Sequence, residues 1–361
     1  MAKIGIACGG TGGHLYPGLA VAEVLTGMGH QVKLYISTKE VDRVVLQSYP
    51  QYESMALPVT GWPGIGFKAP AFLKNFIQAY KISVAELRRE ELAAVLGMGG
   101  FTCAPLLLAA ARQKVPCLLH ESNSIPGKAT RWLSGKMDRV LLGFEQCAKY
   151  LPRAQVRVTG TPVRHSLKRV PRETTAAWWG LQENRFTVAV MGGSQGAQGL
   201  NRLLIRAMPY WEDLQDHIQF IHLSGPMDGE LVKDNYQRYK IPAVVRSFCD
   251  RMEYVYSMAD LVVSRSGAAS LTEIGSYGLP SILVPYPHAA EDHQTQNALI
   301  FVQARAAIMI PEKAGAAELL AAEVRRIGAT ADGLSGMAAS ARTMSMGMAA
   351  RQVAQEVVNV L

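Results

Sequence analysis

The sequence contains few cysteines, and their spacing forms no recognisable framework. No two of them make a CxxC pair, and their irregular spacing argues against both a disulfide scaffold and a cysteine-based zinc site. Such a pattern suits the reducing conditions of the cytosol. The five cysteines are Cys8, Cys103, Cys117, Cys147 and Cys249.

Long hydrophobic runs are also missing. No apolar stretch approaches the ~20 residues that are needed to cross a bilayer. The start, Met1-Ala2-Lys3, leads directly into the first predicted strand and leaves no room for a signal peptide. We therefore expect a soluble or peripheral protein.

The usual signatures of nucleotide and metal binding are absent as well. Two glycine-rich turns, at residues 9–13 and 192–196, follow predicted strands, but neither ends in Gly-Lys-Ser/Thr as a Walker A loop does. Neither turn gives GxGxxG with an acid at the end of the next strand, since Glu40 comes one position late. No Asp-x-Asp run is present to clamp a metal-bound diphosphate. A P-loop NTPase and a dinucleotide oxidoreductase are therefore poor fits.

Acidic residues are scarce in the first half of the chain. The formal net charge is +8, and residues 1–172 carry 22 Lys and Arg against 10 Asp and Glu. The remaining residues carry 15 against 19. A basic half joined to a mildly acidic half predicts an anionic partner for the first half. On charge alone, nucleic acid, anionic lipid and a phosphorylated substrate all remain open.

What the sequence does contain is an alternation of short apolar runs and helical patterns. Runs rich in Val, Leu and Ile are separated by helix-patterned segments, which in the first half lie near 17–28, 72–90, 102–113 and 127–134. This alternation predicts a parallel sheet covered on both faces. The pattern pauses near Thr159-Gly160-Thr161-Pro162 and then restarts. The predicted strands are 4–8, 31–36, 93–96, 117–120, 139–142 and 155–158, followed by 186–191, 220–223, 243–246, 261–264 and 281–285.

The length of 361 residues and the repeated pattern predict two α/β domains, each a doubly wound parallel sheet, facing one another across a cleft. We place the first domain at residues 1–162 and the second at 163–340. Residues 341–361 form a C-terminal helix, for which packing back onto the first domain is one option. Ligands of such sheets bind at the carboxyl ends of the strands, so we expect the site in the cleft.

The turn at residues 9–13 joins a strand to a helix and leads into His14. Four glycines and Thr11 leave backbone N–H groups accessible, and a helix N-terminus attracts an anion. A diphosphate site with a potential base is one interpretation, and tight strand–helix packing is the other. A second turn, at 97–100, and a polar segment, at 120–127, follow later strands and are expected at the same sheet edge, although the segment would also serve as a helix cap.

The most specific stretch of the second half is residues 260–273. It predicts a strand, a turn of small residues and a helix start, with Glu273 about one turn into the helix. A carboxylate there can accept hydrogen bonds from a ribose diol, whereas an acid that only stabilises the helix dipole, by about 0.3–1 kcal/mol, is the alternative. Amide side chains within residues 291–298 suit hydrogen bonds to sugar hydroxyls, although a solvated helix face would look similar.

Taken in order, these motifs resemble a known family. The series GGTGGHxxPGLAVA, GMGGFxxxP, HESNSIPG, TGTPVR, GGSQGA, RSGAxSLTE and DHQTxNA, which runs from Gly9 to Ala298, is similar to that of the MurG family of bacterial peptidoglycan N-acetylglucosaminyltransferases. The resemblance implies the GT-B fold, with two Rossmann-like domains. It implies transfer of N-acetylglucosamine from UDP-N-acetylglucosamine (UDP-GlcNAc) to undecaprenyl-diphospho-N-acetylmuramoyl-pentapeptide (lipid I), which gives lipid II for peptidoglycan synthesis.

The resemblance also implies where the protein works and with what. It predicts a peripheral protein at the cytoplasmic face of the bacterial plasma membrane, with an anionic membrane surface and other cell-wall synthesis proteins as potential partners. No cofactor, no metal and no nucleic acid are expected. The transfer inverts the anomeric centre from the α donor to a β linkage.

Carried over position by position, the resemblance assigns roles to single residues. His14 is the candidate general base for the attacking hydroxyl, with substrate orientation as the competing role. Glu273 would hold the ribose, Gln294 and His293 the sugar, and the backbone of Cys249 the uracil. Helix N-termini and Arg164 would neutralise the leaving diphosphate. The residues expected to bind UDP-GlcNAc are Thr11, Gly12, Gly13, Asn123, Arg164, Ser194, Gln195, Cys249, Ala268, Ala269, Ser270, Leu271, Thr272, Glu273 and Gln294, and those expected at the acceptor diphosphate are Gly10, Gly13, Gly99 and Gly100.

Apolar residues interleaved with lysines between positions 62 and 81 suit insertion beside anionic headgroups. An ordinary loop followed by a helix that buries its apolar face is an equally good interpretation. The residues singled out for the membrane are Trp62, Phe67, Lys68, Phe72, Lys74 and Phe76.

Other function classes remain open at this point. Another GT-B transferase with a lipid or small aglycone acceptor, or a UDP-sugar epimerase of related fold, would carry similar donor motifs. A non-catalytic nucleotide-sugar or anionic-lipid binding protein would need no base, so the donor motifs together with His14 argue against it.

Overall fold

The computed structural model describes residues 1–61, 69–193, 196–329 and 331–361, and it divides the chain into two compact domains. The first consists of Met1–His165 together with Met346–Leu361, and the second of Ser166–Ser345. The chain therefore passes from the first domain to the second three residues later than position 162.

The first domain is built on a parallel sheet of seven strands, in the order β3-β2-β1-β4-β5-β6-β7. Buried β-branched and leucine side chains make β1, β4, β5 and β6 its central strands, as the apolar runs predicted. Strand β3 lies at an edge, and its burial is partial, which explains why no continuous apolar run announces it. The strands are β1 (Lys3–Ala7), β2 (Gln31–Ser37), β3 (Glu53–Leu57), β4 (Ala94–Gly97), β5 (Cys117–Glu121), β6 (Arg139–Leu142) and β7 (Val156–Val158).

Helices follow most of these strands and cover the sheet. The first helix begins at Gly12, five residues before the segment predicted at 17–28, so that His14 lies within its first turn. The helices of this part of the chain are α1 (Gly12–Gly27), α2 (Glu40–Leu46), α3 (Ala69–Arg89), α4 (Ala104–Arg112) and α5 (Lys128–Leu133).

The second domain repeats this architecture with a parallel sheet of six strands, in the order β10-β9-β8-β11-β12-β13. Its strands are β8 (Phe186–Met191), β9 (Ile218–Leu223), β10 (Ala243–Arg246), β11 (Leu261–Ser264), β12 (Ser281–Leu283) and β13 (Ala307–Met309). Its helices are α6 (Arg172–Trp179), α7 (Gln198–Ala207), α8 (Gly229–Arg238), α9 (Met252–Met258), α10 (Ala268–Tyr277), α11 (His293–Gln303), α12 (Ala316–Gly328) and α13 (Ala331–Thr343). Two parallel, doubly wound sheets confirm the predicted fold class.

The last helix, α14 (Ala349–Val358), returns to the first domain. Val353, Ala354 and Val357 are fully buried in one cluster with Leu15 and Leu19 of α1. On the same helix, Glu356 forms an ion pair with Arg139 at the start of β6. The chain therefore returns to the first domain at Met346, and its last helix packs against α1, the helix that carries His14.

Within the described ranges, no helix is both long enough and apolar enough to cross a membrane.

Candidate active site

The first glycine turn connects β1 to α1, and part of its backbone is already engaged. The N–H of Gly10 donates a 2.7 Å hydrogen bond to Oδ2 of Asp42, a fully buried carboxylate on α2. The same oxygen accepts from the N–H of Ser37 at 2.9 Å. A Cβ at Gly9 would lie 2.6 Å from this oxygen, so only glycine fits there. The N–H of Gly10 is therefore not available to a diphosphate, and a place for Gly10 at the acceptor diphosphate stays a prediction.

Three N–H groups of the turn are still available. Those of Thr11, Gly12 and Gly13 donate no hydrogen bond to any described residue. They open a 16-residue helix that has no acidic residue in its first turn. Such a helix N-terminus favours an anion, because its N–H groups and its dipole both present positive charge.

His14 lies half-buried within this first turn. Its Nδ1 is 3.2 Å from Oγ1 of Thr11. Burial lowers the pKa of His14 below its ordinary value; the carboxylates of Glu121 and Asp42 act in the opposite direction, and the ammonium of Lys39 adds to the lowering. The imidazole is therefore mostly neutral at pH 7, which is the form that accepts a proton.

The turn after β4 packs against the His14 ring. Gly99 and Gly100 have φ angles of +95° and +72°, and a Cβ at Gly100 would lie 3.0 Å from Cε1 of His14. On the neighbouring side, a Cβ at Gly10 would lie 3.0 Å from Oγ1 of Thr102. The two turns therefore meet at the carboxyl ends of the adjacent strands β1 and β4, as the sequence predicted.

Glu121 organises the polar segment that follows β5. Its Oε1 accepts hydrogen bonds from both the backbone N–H and Nδ2 of Asn123, each at 3.0 Å. Its Oε2 accepts from the N–H of Gly127 at 3.1 Å and from Oγ1 of Thr130 at 2.6 Å. Asn123, expected to contact the donor, is thus fixed at the carboxyl end of β5 by a carboxylate that is almost fully buried.

His120 has a structural role. Its Nε2 lies 3.0 Å from the carbonyl oxygen of Gly160, and burial lowers its pKa. This contact ties the end of β5 to the segment that leads towards Arg164.

Arg164 belongs to the first domain, although the sequence placed it in the second. Its side chain is 8% exposed, and its guanidinium carbon lies 4.0 Å from the centroid of the Tyr16 ring. This cation–π contact places the arginine against Tyr16 of α1, which is two residues beyond His14.

In the second domain, α10 provides another accessible helix start. Gly267 precedes the helix, and no acidic residue lies in its first turn. The N–H groups of Ala268, Ala269 and Ser270 make no hydrogen bond within the described part of the chain. These groups are the natural partners of an anionic diphosphate.

The next two residues of α10 offer less than expected. Leu271 is fully buried, and its N–H donates to the carbonyl of Gly267 at 3.0 Å, so its contact with the donor stays a prediction. Oγ1 of Thr272 donates to the carbonyl of Ala268 at 2.9 Å and retains only its lone pairs.

Glu273 is oriented by a tyrosine that the sequence did not reveal. The hydroxyl of Tyr256, a buried residue of α9, donates to Oε2 of Glu273 at 2.8 Å. Because α9 and α10 are both needed to form this pair, no local sequence signal points to it. The carboxylate is partly exposed and can accept hydrogen bonds from a diol.

Gln294 joins two loops and still presents a donor. Its Oε1 accepts from the N–H of Ser266 at 3.3 Å and from that of Tyr286 at 2.9 Å. Two N–H donors fix this atom as the oxygen, so Nε2 is the free end of the amide and makes no hydrogen bond to a described residue. An amide N–H there suits a sugar hydroxyl. His293, beside it, has its Nδ1 2.7 Å from the carbonyl of Ala290.

Cys249 follows the loop after β10. Its thiol is buried, and burial raises the pKa of this thiol. Neither its N–H nor its carbonyl forms a hydrogen bond with another described residue. The side chain thus anchors the loop while the backbone stays available to pair with a base edge.

The second glycine turn is as tightly packed as the first. Gly196 has a φ of +76°, and a Cβ there would lie 2.7 Å from the carbonyl oxygen of Ser224, at the end of β9. Ser194 and Gln195, which were expected at the diphosphate, lie outside the described residues.

Arg265 is a further residue whose role the sequence did not reveal. Its Nη1 donates to the carbonyls of Val284 and Pro285 at 3.0 and 3.1 Å, and its Nη2 pairs with Glu312 at 2.7 Å. It holds the loop after β12 beside the start of α10. An arginine among the small residues of a strand–helix turn was the available signal.

In the described part of the chain, no three His, Cys, Asp or Glu side chains are grouped so that they could hold a metal ion.

The residues singled out for the membrane have different fates. Trp62, Phe67 and Lys68 lie outside the described residues. Phe72 is 8% exposed, with its ring 5.8 Å from that of Phe101 and 5.9 Å from that of Phe76, so its assignment to the membrane is wrong. Phe76 is half-buried, and Lys74 is exposed.

Two family models match the chain. The model described as glycosyltransferase family 28 N-terminal domain matches residues 4–142, and that described as glycosyltransferase family 28 C-terminal domain matches residues 187–356. The first match lies within the first domain, whereas the second covers the second sheet and its helices and extends into α14, which belongs to the first domain.

Relatives and solved structures are similar over nearly the full length. A protein of Synechococcus elongatus named UDP-N-acetylglucosamine--N-acetylmuramyl-(pentapeptide) pyrophosphoryl-undecaprenol N-acetylglucosamine transferase is 37% identical over 96% of this chain and 95% of its own. A protein of the same name from Geobacter metallireducens is 34% identical over 97% and 94%. The crystal structure of Acinetobacter baumannii MurG matches with a TM-score of 0.77 and 25% identity, over 99% of this chain and 100% of that one.

Proposed function

The chain belongs to glycosyltransferase family 28, and we infer that it transfers N-acetylglucosamine from UDP-GlcNAc to lipid I, the undecaprenyl-diphosphate-linked N-acetylmuramoyl-pentapeptide. The observation that supports this inference most directly is the similarity to a protein named as an N-acetylglucosamine transferase for that acceptor, which extends over 96% of the chain. The site geometry gives the chemistry a physical basis in each domain.

His14 is the base in this proposal. When the ring proton is on Nδ1, Nδ1–H donates to Oγ1 of Thr11, and Nε2 carries the lone pair that accepts the proton of the acceptor hydroxyl. A pKa lowered by burial keeps the ring neutral at the pH of the cytosol. Attack by that hydroxyl on the anomeric carbon, opposite the leaving diphosphate, inverts the α donor to a β linkage.

The donor is bound by the second domain. Glu273, oriented by Tyr256, accepts hydrogen bonds from the ribose diol, and Nε2 of Gln294 donates to the sugar. The backbone of Cys249 pairs with the uracil. The N–H groups of Ala268, Ala269 and Ser270 lie in the first turn of α10 and stabilise the charge that grows on the diphosphate as the glycosidic bond breaks.

A metal is not needed in this proposal. The α10 N-terminus supplies the positive charge that a divalent cation supplies in other sugar transferases. In the first domain, Gly13, Gly99 and Gly100 line the place of the acceptor diphosphate.

A membrane surface carries the acceptor, and one face of the first domain suits it. Leu73 and Ile77, one turn apart on α3, are 57% and 46% exposed, and Trp132 on α5 is 47% exposed. The half-buried ring of Phe76 lies 6.2 Å from that of Trp132 and joins the two helices. We call Leu73, Ile77 and Trp132 the apolar patch.

The apolar patch lies beside exposed lysines such as Lys74 and Lys136, the latter 5.9 Å above the Trp132 ring. Apolar side chains ringed by lysines suit the anionic inner leaflet, and a peripheral position at its cytoplasmic face follows.

The apolar patch is tested by sedimentation with vesicles of anionic phospholipid. We expect Leu73→Glu with Ile77→Glu to abolish most of the binding. Leu231→Glu, at a leucine that is 50% exposed on the second domain, is the matched control. Equal binding by the two variants would remove the patch from the proposal.

The transferase activity is tested with labelled UDP-GlcNAc and a lipid-linked muramoyl-pentapeptide, in buffer with and without EDTA. The proposal expects a labelled disaccharide lipid in both buffers. Transfer only to a diacylglycerol or small aglycone, conversion of the donor to an epimer, or binding without turnover would each support one of the rival functions instead. Loss of activity in EDTA would overturn the metal-free part.

A further inference from the structure

Lys39 is an exposed lysine between β2 and α2 that reaches the first glycine turn. Its Nζ donates a 2.8 Å hydrogen bond to the carbonyl oxygen of Gly10. Within the described residues it forms no ion pair. Two of its three N–H donors are therefore left for another partner.

The surroundings of Gly10 explain why a cation is needed there. The N–H of Gly10 is taken by Asp42, and the buried carboxylate brings negative charge to the floor of the turn. A diphosphate that approaches the N–H groups of Gly12 and Gly13 meets this field. Lys39, bonded to the opposite side of the same glycine, provides an opposing positive charge.

The position of Lys39 is also close to the reacting groups. Its charge acts on the His14 imidazole, as do those of Glu121 and Asp42. Because Lys39 bonds to the carbonyl of Gly10, a diphosphate held by Lys39 lies at the turn that leads into His14. This placement is what an acceptor needs, because its diphosphate is attached to the same sugar that carries the attacking hydroxyl.

We propose that Lys39 binds the diphosphate of the lipid-linked acceptor, with its Nζ oriented by the Gly10 carbonyl and its free N–H donors directed to the phosphate oxygens. This inference rests on the proposed function, since it assumes a diphosphate acceptor in the first domain. It adds a side chain to a site that otherwise consists of backbone N–H groups and glycines.

A purely structural role would have a different signature. If Lys39 only braced the carbonyl of Gly10, its loss would displace the turn and His14 with it. Turnover would then fall, while the KM for the acceptor would stay near its original value. A phosphate contact instead raises that KM and leaves the KM for UDP-GlcNAc unchanged, because the donor is bound in the second domain.

The test is steady-state kinetics of Lys39→Met and Lys39→Arg with both substrates varied. Arg43→Met is the matched control, since Arg43 is an exposed cation on α2 that is already paired with Glu40. We expect Lys39→Met to raise the KM for the acceptor about tenfold or more, as loss of a charge-assisted hydrogen bond does. Lys39→Arg should recover much of the loss, and Arg43→Met should behave as the parent.

Inhibition by farnesyl diphosphate gives a second readout that does not depend on turnover of the acceptor. We expect it to compete with the acceptor in the parent protein and to bind about tenfold more weakly to Lys39→Met, with farnesol inhibiting neither. An unchanged KM for the acceptor with unchanged inhibition would overturn the role of Lys39. Absence of transfer in the parent protein would instead overturn the proposed function itself, so the two failures are distinguishable.

Discussion

The hydroxyl of Tyr256 donates a 2.8 Å hydrogen bond to Oε2 of Glu273, and this pair links α9 to the first turns of α10. Tyr256 is almost fully buried, whereas Glu273 is partly exposed. One end of the pair is therefore fixed by the core, and the other is accessible to a ligand, which in the proposed function is the donor ribose. Such an arrangement positions an acceptor before the substrate arrives.

Glu273→Ala should weaken UDP-GlcNAc binding by about tenfold to a hundredfold, because hydrogen bonds to a charged group contribute about 1.5–3 kcal/mol. Tyr256→Phe should weaken it only a few-fold, since the carboxylate remains but is less well oriented. Calorimetric titration with UDP measures both. Equal affinities for the parent and Glu273→Ala would show that Glu273 does not hold the ribose.

His14→Ala should lower kcat by about a hundredfold to ten-thousandfold, the usual contribution of a general base. The dissociation constant for UDP should stay nearly unchanged, because the nucleotide is assigned to the second domain. His217→Ala, at an exposed histidine of that domain, is the control and should retain full activity. Near-normal turnover of His14→Ala would remove His14 from the mechanism.

The pH profile should report the same imidazole. The base must be neutral, and burial holds the pKa of His14 below its ordinary value. The rate should therefore fall only at pH values below the usual titration range of histidine. Because Lys39 lowers this pKa whereas Glu121 and Asp42 raise it, Lys39→Met should move the acidic limb to higher pH. The measurement is kcat as a function of pH. If the midpoint of the acidic limb were the same in Lys39→Met as in the parent protein, His14 would not be the group that this limb reports.

Gly100→Ala should impair catalysis by displacing the base. A Cβ at this glycine would lie 3.0 Å from Cε1 of His14, and its φ of +72° is unfavourable for alanine. Gly29→Ala is the matched control, because Gly29 has a φ of +86° but nothing within 4 Å of the added atom. Both variants should lose comparable stability in urea denaturation, yet only Gly100→Ala should lose kcat. Equal turnover would mean that the turn after β4 does not set the position of His14.

The stability of the second domain should depend on a buried histidine. His222 has Nε2 3.0 Å from Oδ1 of Asn201 and Nδ1 3.2 Å from the hydroxyl of Tyr236, and burial lowers its pKa from 6.5 to about 3. As the pH falls, His222 takes up a proton in the unfolded chain before it does so in the folded protein. The contribution of His222 to the free energy of unfolding is therefore complete above pH 6.5 and falls as the pH drops from 6.5 towards 3.

This loss amounts to about 1.4 kcal/mol per pH unit. The free energy of unfolding, measured by urea at pH 7 and pH 5, should therefore fall by about 2 kcal/mol more in the parent than in His222→Gln. The same pH dependence in both proteins would show that His222 does not titrate in this way.

Most of the fold could be predicted from the sequence, because strands that are buried on both faces of a parallel sheet consist of consecutive apolar residues. The prediction missed β3 and β13, which lie at the edges of their sheets, where shorter and more polar strands suffice. The helix predicted at 17–28 begins later than α1 does, because glycine is a poor helix former and Gly12 and Gly13 gave no helical signal.

The site was harder to predict wherever it depends on pairs that are distant along the chain. Asp42 reaches Gly10 only because β2 lies beside β1, and a local search for an acid after β2 stopped at Glu40. Phe72 and Leu73 are neighbours in sequence with opposite exposure, which is settled by how α3 rotates against Phe101. Aromatic content alone could not distinguish them.

The central claim is inverting transfer of N-acetylglucosamine to a lipid-linked muramoyl-pentapeptide. The most direct test is the NMR coupling constant of the new anomeric proton in the product isolated from UDP-GlcNAc and a short-chain lipid I analogue. The account predicts a disaccharide whose coupling is the large, diaxial one of a β linkage. A small coupling, which marks an α linkage, or the absence of any disaccharide would contradict it.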